Sequence, residues 1–431
     1  MERLRTLVKV AWLHWHREGI LKTLIKSVQR LREVAFAAFA KPGGGASTSM
    51  DARFHMLVID ALMPDPTRDA ASVRLCRIME MLRDSGWAVD FMPDNLHADP
   101  SQRAILDALG VRTLCRPEVG SLAQWLHKHG PCLQAVLLSR YYIAWPHYDL
   151  VRRHAPTARV IFNPEDLHYL RESRELAVLG QIAPDQHARI EDIRHQELEL
   201  VRKCDVTVVV SHAEKLLLQR EVPKGNVQLL STIHDVHPDP PGYPARRDLV
   251  FVGGWGHPPN RDAIHWLVDA IMPLLRELLP GIRLHLVGDM PAEVRPSLEA
   301  SDVLVHGRVQ DLAALLDSSR VALAPLRYGA GVKGKINSAM SRGLPVVATS
   351  IAIEGMFLAP DMNVLTADDA AGFAGQVARM YRDPVLWQSM SKAGLRNIRE
   401  HFSPEVASRN LQLVLGSITD ARMAEFAGSR R

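Results

Sequence analysis

PLRYGAGVKGKINSAMSRGLPVVATS, residues 325–350, reads as a strand end, a loop carrying Gly329, Gly331 and Gly334, a helix over about 334–342, and a further strand. Three glycines in six residues let the backbone approach a ligand closely and aim N–H groups at it. The helix start adds a positive dipole end, and Lys333 and Lys335 add full charges. Such a combination suits a diphosphate, with Gly331 and Val332 at the centre of the loop in reach of the same ligand. The complete GxxxxGK[ST] motif of a P-loop is absent.

Outward from this stretch, short apolar runs alternate with helical ones. Upstream stand DLVFVGGW, a helix over 260–279, RLHLVGD, VLVHGR, a helix near Asp311 and RVALAPL. Further back, HPDPPGYPARR (237–247) holds four prolines and reads as an interdomain linker. Before it the alternation recurs in FHMLVID, GWAVDFMP, VRTLC, AVLLSR, ARVIFN and CDVTVVVS, with helices over 69–85, 101–109 and 185–203. Repeated βα units imply parallel sheets with helices on both faces. The expectation is two tandem, doubly wound Rossmann-like α/β domains facing a cleft, over 51–240 and 241–405, with a helical tail over 406–431. Ligands of such folds bind beyond the carboxyl ends of the strands.

The remaining segment, 1–50, is different. Residues 1–41 carry a charge balance of +6 within a chain whose total is +4, so the rest is slightly acidic. Leu21, Leu24, Ile25, Val28 and Leu31 recur at helical steps, and Lys22, Lys26 and Arg30 form a basic row below Trp12 and Trp15. Two readings stand: an interfacial anchor on anionic lipid, or a helix packed on its own domain or a partner. PGGGASTSMD (42–51) is a flexible linker by composition.

The 431 residues are 47% apolar and 23% charged, an ordinary globular mix, and the small net charge does not imply a nucleic-acid partner. Cys76, Cys115, Cys132 and Cys204 are widely spaced, which argues against a zinc site and a disulfide scaffold. With no spanning stretch and no signal-peptide core, the expected location is cytoplasmic, with peripheral contact on the inner membrane face if the basic helix binds lipid.

FVGGWGHPPNRDAIHWL, LHLVGD, VHGRVQDLAALL, VALAPLRYGAGVKGKI and GLPVVATSIAIEG resemble, in order and spacing, the donor domain of family 4 glycosyltransferases. These are retaining enzymes with the two-Rossmann-domain GT-B fold. PDPTRDAASVR, DLHYLRE and VVVSHAE resemble the family's acceptor domain more loosely, so the likeness spans about 54–410. It implies a nucleoside-diphosphate sugar as donor, a saccharide or lipid-linked acceptor, and no bound metal or further cofactor. The leaving diphosphate, held by Lys333, Lys335 and backbone amides, would help take the acceptor proton.

Two family carboxylates are missing. The glutamate that holds the donor ribose falls on Ser338, and a second acidic position falls on Ala330. A serine hydroxyl cannot hold two hydroxyls as a charged acceptor does. Glu354 is the candidate to compensate. The usual Arg-and-Lys pair early in the domain is altered, leaving Asn260 and Arg261 beside the Gly253–Gly254 turn, with Arg327 as a further donor-side candidate.

In the first half, Asp166 and His168 follow the strand ARVIF and are expected at the cleft, binding a sugar hydroxyl or moving a proton. The plain alternative for His168 is a bond to nearby backbone. Asp69 and Arg74 open the first helix as acceptor-side candidates, Asp69 being equally suited to a helix N-cap and Arg74 expected to face the cleft. No GxSxG, HExxH or Asp-x-Asp occurs, and GAGVKG is not read as a nicotinamide-binding fingerprint. The rivals to glycosyl transfer are a catalytically weak partner or scaffold subunit, motivated by Ser338 and Ala330, and a sugar-nucleotide epimerase or hydrolase.

Overall fold

FHMLVID shows no polar alternation, and as strand β1 (Phe54–Asp60) its last five residues are buried. A strand apolar on both faces needs helices above and below it, and that demand organises both halves of the chain. The computed structural model describes residues 54–180, 184–309 and 311–428. The basic segment 1–50 lies outside them.

In the first domain β1 is followed by α1 (Ala70–Asp84), β2 (Trp87–Pro93), α2 (Pro100–Ala108), β3 (Arg112–Thr113) and α3 (Leu122–His129). Then come β4 (Ala135–Ser139), α4 (Tyr141–His154), β5 (Arg159–Asn163), α5 (His168–Leu179) and α6 (Pro184–Lys203). The domain closes with β6 (Val206–Val209), α7 (His212–Glu221) and β7 (Val227–Leu229). Its seven strands run parallel in the order β3-β2-β1-β4-β5-β6-β7. The order reverses between β1 and β4, where Ile59 pairs with Leu138.

The second domain runs β8 (Arg247–Val252), α8 (Pro258–Trp266), α9 (Met272–Leu278), β9 (Leu284–Val287), α10 (Arg295–Leu298) and β10 (Val303–Gly307). It continues with α11 (Leu312–Ser318), β11 (Ser319–Ala324), α12 (Gly334–Met340), β12 (Val346–Ala348), β13 (Leu365–Thr366), α13 (Ala370–Arg382) and α14 (Pro384–His401). The strand order β10-β9-β8-β11-β12-β13 reverses between β8 and β11. The helix expected over 260–279 is interrupted by a π-turn, Leu267–Ile271, where Met272 N–H bonds the Leu267 carbonyl. Pro273 follows directly; it has no N–H and its ring crowds the preceding turn, so the ladder widens there.

The final helix, α15 (Pro404–Gly428), leaves the second domain and returns to the first. Ala407, Leu411, Val414 and Leu415 pack in the core formed by Met56, Val58, Leu75 and Met79. Two segments therefore cross between domains side by side, tied where His234 N–H donates to Phe402 O (2.9 Å).

The proline-rich linker is pinned by one side chain. Arg246, fully buried, donates to the carbonyls of Pro241 (2.7 Å), Leu316 (2.6 Å), Ser319 (3.2 Å) and Arg342 (2.6 Å). Burial lowers its pKa to about 10. Replacing Arg246 with Met leaves four carbonyls without their donor, so the expected loss is about 3 kcal/mol or more of stability. Urea unfolding of the variant checks this, and an unchanged midpoint would exclude the pinning role.

Candidate functional site

The stretch over 325–350 folds as expected at its centre, with one difference: α12 is only seven residues long. Gly329 (φ +150°) and Gly331 (φ +66°) adopt backbone conformations that favour glycine. A Cβ on Gly331 would lie 3.1 Å from Val210 and 3.2 Å from Asp166, and one on Gly334 would lie 2.7 Å from Ala70. The loop thus presses directly on the first domain. Its glycines do have the G-x-G-x-x-G spacing, and Gly329 to Lys335 has P-loop spacing with Ile336 in place of Ser or Thr. The loop, however, follows β11 and not the domain's first strand, so the context of a dinucleotide fingerprint is missing.

Lys333 departs from expectation. It is 8% exposed, and its Nζ turns back to donate to the carbonyls of Ala330 (3.0 Å) and Gly331 (2.7 Å). Burial lowers its pKa to about 8, opposed by Glu214, Glu354 and Asp166. Here it stabilises its own loop against the other domain.

Lys335 stands at the switch point between β8 and β11. Its Nζ donates to Asn260 Oδ1 and lies 4.3 Å from the Phe251 ring centroid. Asn260 Nδ2 donates to Gly254 O (3.1 Å). A Cβ on Gly253 would sit 2.9 Å from Lys335 Nζ, so the absence of a side chain there is what admits the amine. Burial, then the neighbouring Lys333, lower the Lys335 pKa to about 7. Gly253, Gly254, Asn260 and Lys335 are therefore brought together. Arg261 is exposed on the first turn of α8 and makes no ion pair among the described residues. Val332 packs on the second-domain core, and Ser338 is half-buried on α12.

Two donor-side candidates are engaged elsewhere. Arg327 donates from Nε to Asp262 Oδ2 (2.9 Å) and lies over Trp266, holding it against α8. Glu354 accepts two hydrogen bonds from Arg174 of the first domain (2.7 and 2.8 Å). A groove of ≈ 720 Å³ opens beside this pair, lined by Val178, Arg327, Ser350, Phe357 and Asp368 among others.

On the first domain Asp166 and His168 lie together. Burial alone would raise the Asp166 pKa, but Arg171 and His168 hold it well below the usual carboxylate range. His168 is buried: its Nδ1 lies 3.0 Å from the Asp166 carbonyl, and the rings of Tyr141 and Tyr142 meet it edge-on at 5.0 and 5.8 Å. Asp69 is the N-cap of α1, accepting from Ser72 N–H at 2.7 Å. Arg74 does not face the cleft. It is 1% exposed and donates to Leu230 O (2.7 and 3.0 Å), Asn163 Oδ1 (3.0 Å) and Glu165 (3.4 Å), because its position on α1 points it under the strand ends.

Several residues at the domain contact escape sequence reading. Glu197 caps α5 by accepting from His168 N–H (3.0 Å) and Tyr169 N–H (3.1 Å). His257 ends the Gly253–Gly256 turn at the N-cap position of α8, exposed at the surface. Glu214, in the first turn of α7, accepts from Leu167 N–H (3.1 Å) while its Oε2 is buried without a partner. The fragment SHAE signalled a helix start but not this burial.

Burial, reinforced by Asp166, raises the Glu214 pKa to about 8. The unfolded chain loses that proton near the ordinary carboxyl value, so between about pH 4.5 and 8 the folded state binds more protons. Stability from this group is present at low pH and lost as pH rises. Glu214→Gln is expected to remove that slope, gaining at least about 1 kcal/mol relative to the parent between pH 5 and 8 in denaturant titrations. Parallel pH profiles would refute it.

Residues 246–383 match the family model for glycosyl transferases group 1. An uncharacterized 44.6 kDa protein in the cps region of Klebsiella pneumoniae is 26% identical over 139 residues, covering 30% of this chain and 36% of that protein. The match thus spans about a third of the curated relative. Among solved structures, sucrose-phosphate synthase from Thermosynechococcus elongatus superimposes with a TM-score of 0.65 at 19% identity, over 86% of this chain and 100% of that one. HepE from Anabaena, in complex with UDP and glucose, gives 0.62 at 14%, over 85% and 100%. The pneumococcal O-GlcNAc transferase GtfA, in complex with UDP and GlcNAc, gives 0.62 at 10%, over 85% and 99%. The second domain therefore matches the group 1 glycosyl transferases, and the described residues have the two-domain GT-B fold.

Proposed function

We propose that this protein transfers a sugar from a nucleoside-diphosphate sugar to a saccharide or lipid-linked acceptor, with retention of configuration. The observation that carries the reading is the convergence of Lys335, Asn260 and the side-chain-free Gly253–Gly254 turn at the switch point of a domain matching group 1 glycosyl transferases. A lysine with a lowered pKa beside a closely approachable backbone fits a diphosphate: the arriving anion favours the charged amine, which then stabilises the leaving group. In this reading the countercharge comes from Lys335, and no metal ion or protein nucleophile is assigned. In this reading Asp166 and His168 are the first-domain candidates for holding the transferred sugar, His168 from its buried place behind Asp166. UDP in the HepE and GtfA structures makes UDP-sugars the first donors to try. The relative in the cps region supports a role in surface polysaccharide synthesis.

A second reading, a weak or inactive partner subunit, is favoured by one observation. Ser338 stands without a carboxylate, and Glu354 is already paired with Arg174. For location, no described helix is long and apolar enough to cross a membrane. Peripheral contact through residues 1–41 of a cytoplasmic protein remains a proposal, which liposome flotation of the chain with and without residues 1–50 tests.

Binding of UDP-glucose and other nucleotide sugars is the decisive measurement. Bound donor is expected to raise the melting temperature, and Lys335→Met to abolish the shift. The affinity should fall as pH rises from 6 to 9, because Lys335 is charged below about 7 in the free protein. The Lys335→Met variant should lose that pH dependence. No shift with any nucleotide sugar, but one gained by Ser338→Glu, would overturn transfer in favour of the partner-subunit reading.

A further inference from the structure

Helix α5 belongs to the first domain, yet one of its faces is directed at the second. Arg171, Arg174, Glu175 and Val178 recur at steps of three, one and three, which places them on a single helical stripe. Arg171 pairs with Asp166, which packs against Gly331. Arg174 reaches furthest: Nη1 donates to the Gly329 carbonyl (2.7 Å) and to Glu354 Oε2 (2.7 Å), while Nη2 donates to Glu354 Oε1 (2.8 Å). Glu175 accepts from the buried Tyr328 hydroxyl (3.0 Å). Val178 lines the groove beside Glu354.

These contacts select two segments of the second domain: the start of the Gly-rich loop at residues 328–329 and the turn after β12. Gly329 has φ +150°, a conformation open to glycine and closed to residues with a side chain. Its carbonyl is fixed by a guanidinium from the other domain. The carboxylate of Glu354 holds the same guanidinium in a fork, the geometry that arginine offers and lysine lacks.

We propose that Arg174 is a positioning residue that sets the Gly-rich loop from across the cleft, so that the anion site of the second domain is complete only when the two domains are closed. Opening the cleft withdraws Arg174, frees the Gly329 carbonyl and releases Glu354. Closure and anion binding are then two readings of one equilibrium, and each favours the other by the same factor. The identity of the anion as a nucleoside diphosphate rests on the function proposed above; the closure contact does not.

Two measurements separate these. Small-angle scattering of the full chain reads closure without any ligand, and calorimetry with UDP reads the anion site. Arg174→Met is expected to enlarge the radius of gyration and to weaken UDP binding by about tenfold, within the usual span of such couplings. Arg174→Lys keeps the charge but reaches only one of the two acceptors, so it should fall between parent and Met variant. The exchange Arg174→Glu with Glu354→Arg should recover the compact radius through the reversed pair, while UDP affinity stays low because Gly329 has lost its donor. A Met or Lys variant with parental scattering and parental UDP affinity would overturn the proposal, as would a charge exchange that stays expanded. A parent that binds no nucleotide would count against the proposed function, and the scattering series would still decide the role of Arg174.

Discussion

An all-parallel sheet covered on both faces by helices offers chemistry only at its strand ends, and this chain builds two such sheets whose ends meet. The consequence is a site assembled from turns, not from regular elements. Asp166, Gly253, Gly331, Lys333 and Glu354 all lie in the segments that follow the carboxyl ends of strands. What keeps the turns in place is polar pairing under partial burial. Lys333 on its own loop carbonyls, Lys335 on Asn260 and Arg171 on Asp166 are examples. In a region of reduced solvent, such pairs hold geometry more firmly than they would on an open surface.

The two lysines of the Gly-rich loop show how little separation in sequence says about role. They are two residues apart, yet one turns back onto its loop toward the first domain and the other lies behind Asn260 at the switch point. Both have pKa values lowered by burial, and neither is the solvent-exposed cation that a helix start suggests. Lys333 is committed to the carbonyls of Ala330 and Gly331, whereas Lys335 bonds a side chain, that of Asn260.

The architecture was legible in the sequence because it depends on local signals: apolar runs of four to seven residues, prolines at 238–244, and Asp69 ahead of a helix. The Gly253–Gly254, Asn260 and Lys335 group was half legible, since its members were singled out but their convergence was not. Arg74 was expected at the cleft because it opens the first helix, whereas Leu230, Asn163 and Glu165, all distant in sequence, hold it buried. Arg174 with Glu354, 180 positions apart, and Glu175 with Tyr328, 153 apart, had no local signal. Such pairs depend on how two domains meet, which no window of residues encodes.

Helix α15 ties the second domain back to the first in time as well as space. Its first turns close the core of the domain that is synthesised first, over Met56, Val58 and Leu75. On the ribosome that domain therefore stays incomplete until the entire second domain has emerged, with an apolar face waiting for its lid. Cutting the chain between the domains would therefore strand an open core over Met56, Val58 and Leu75 instead of releasing two closed modules.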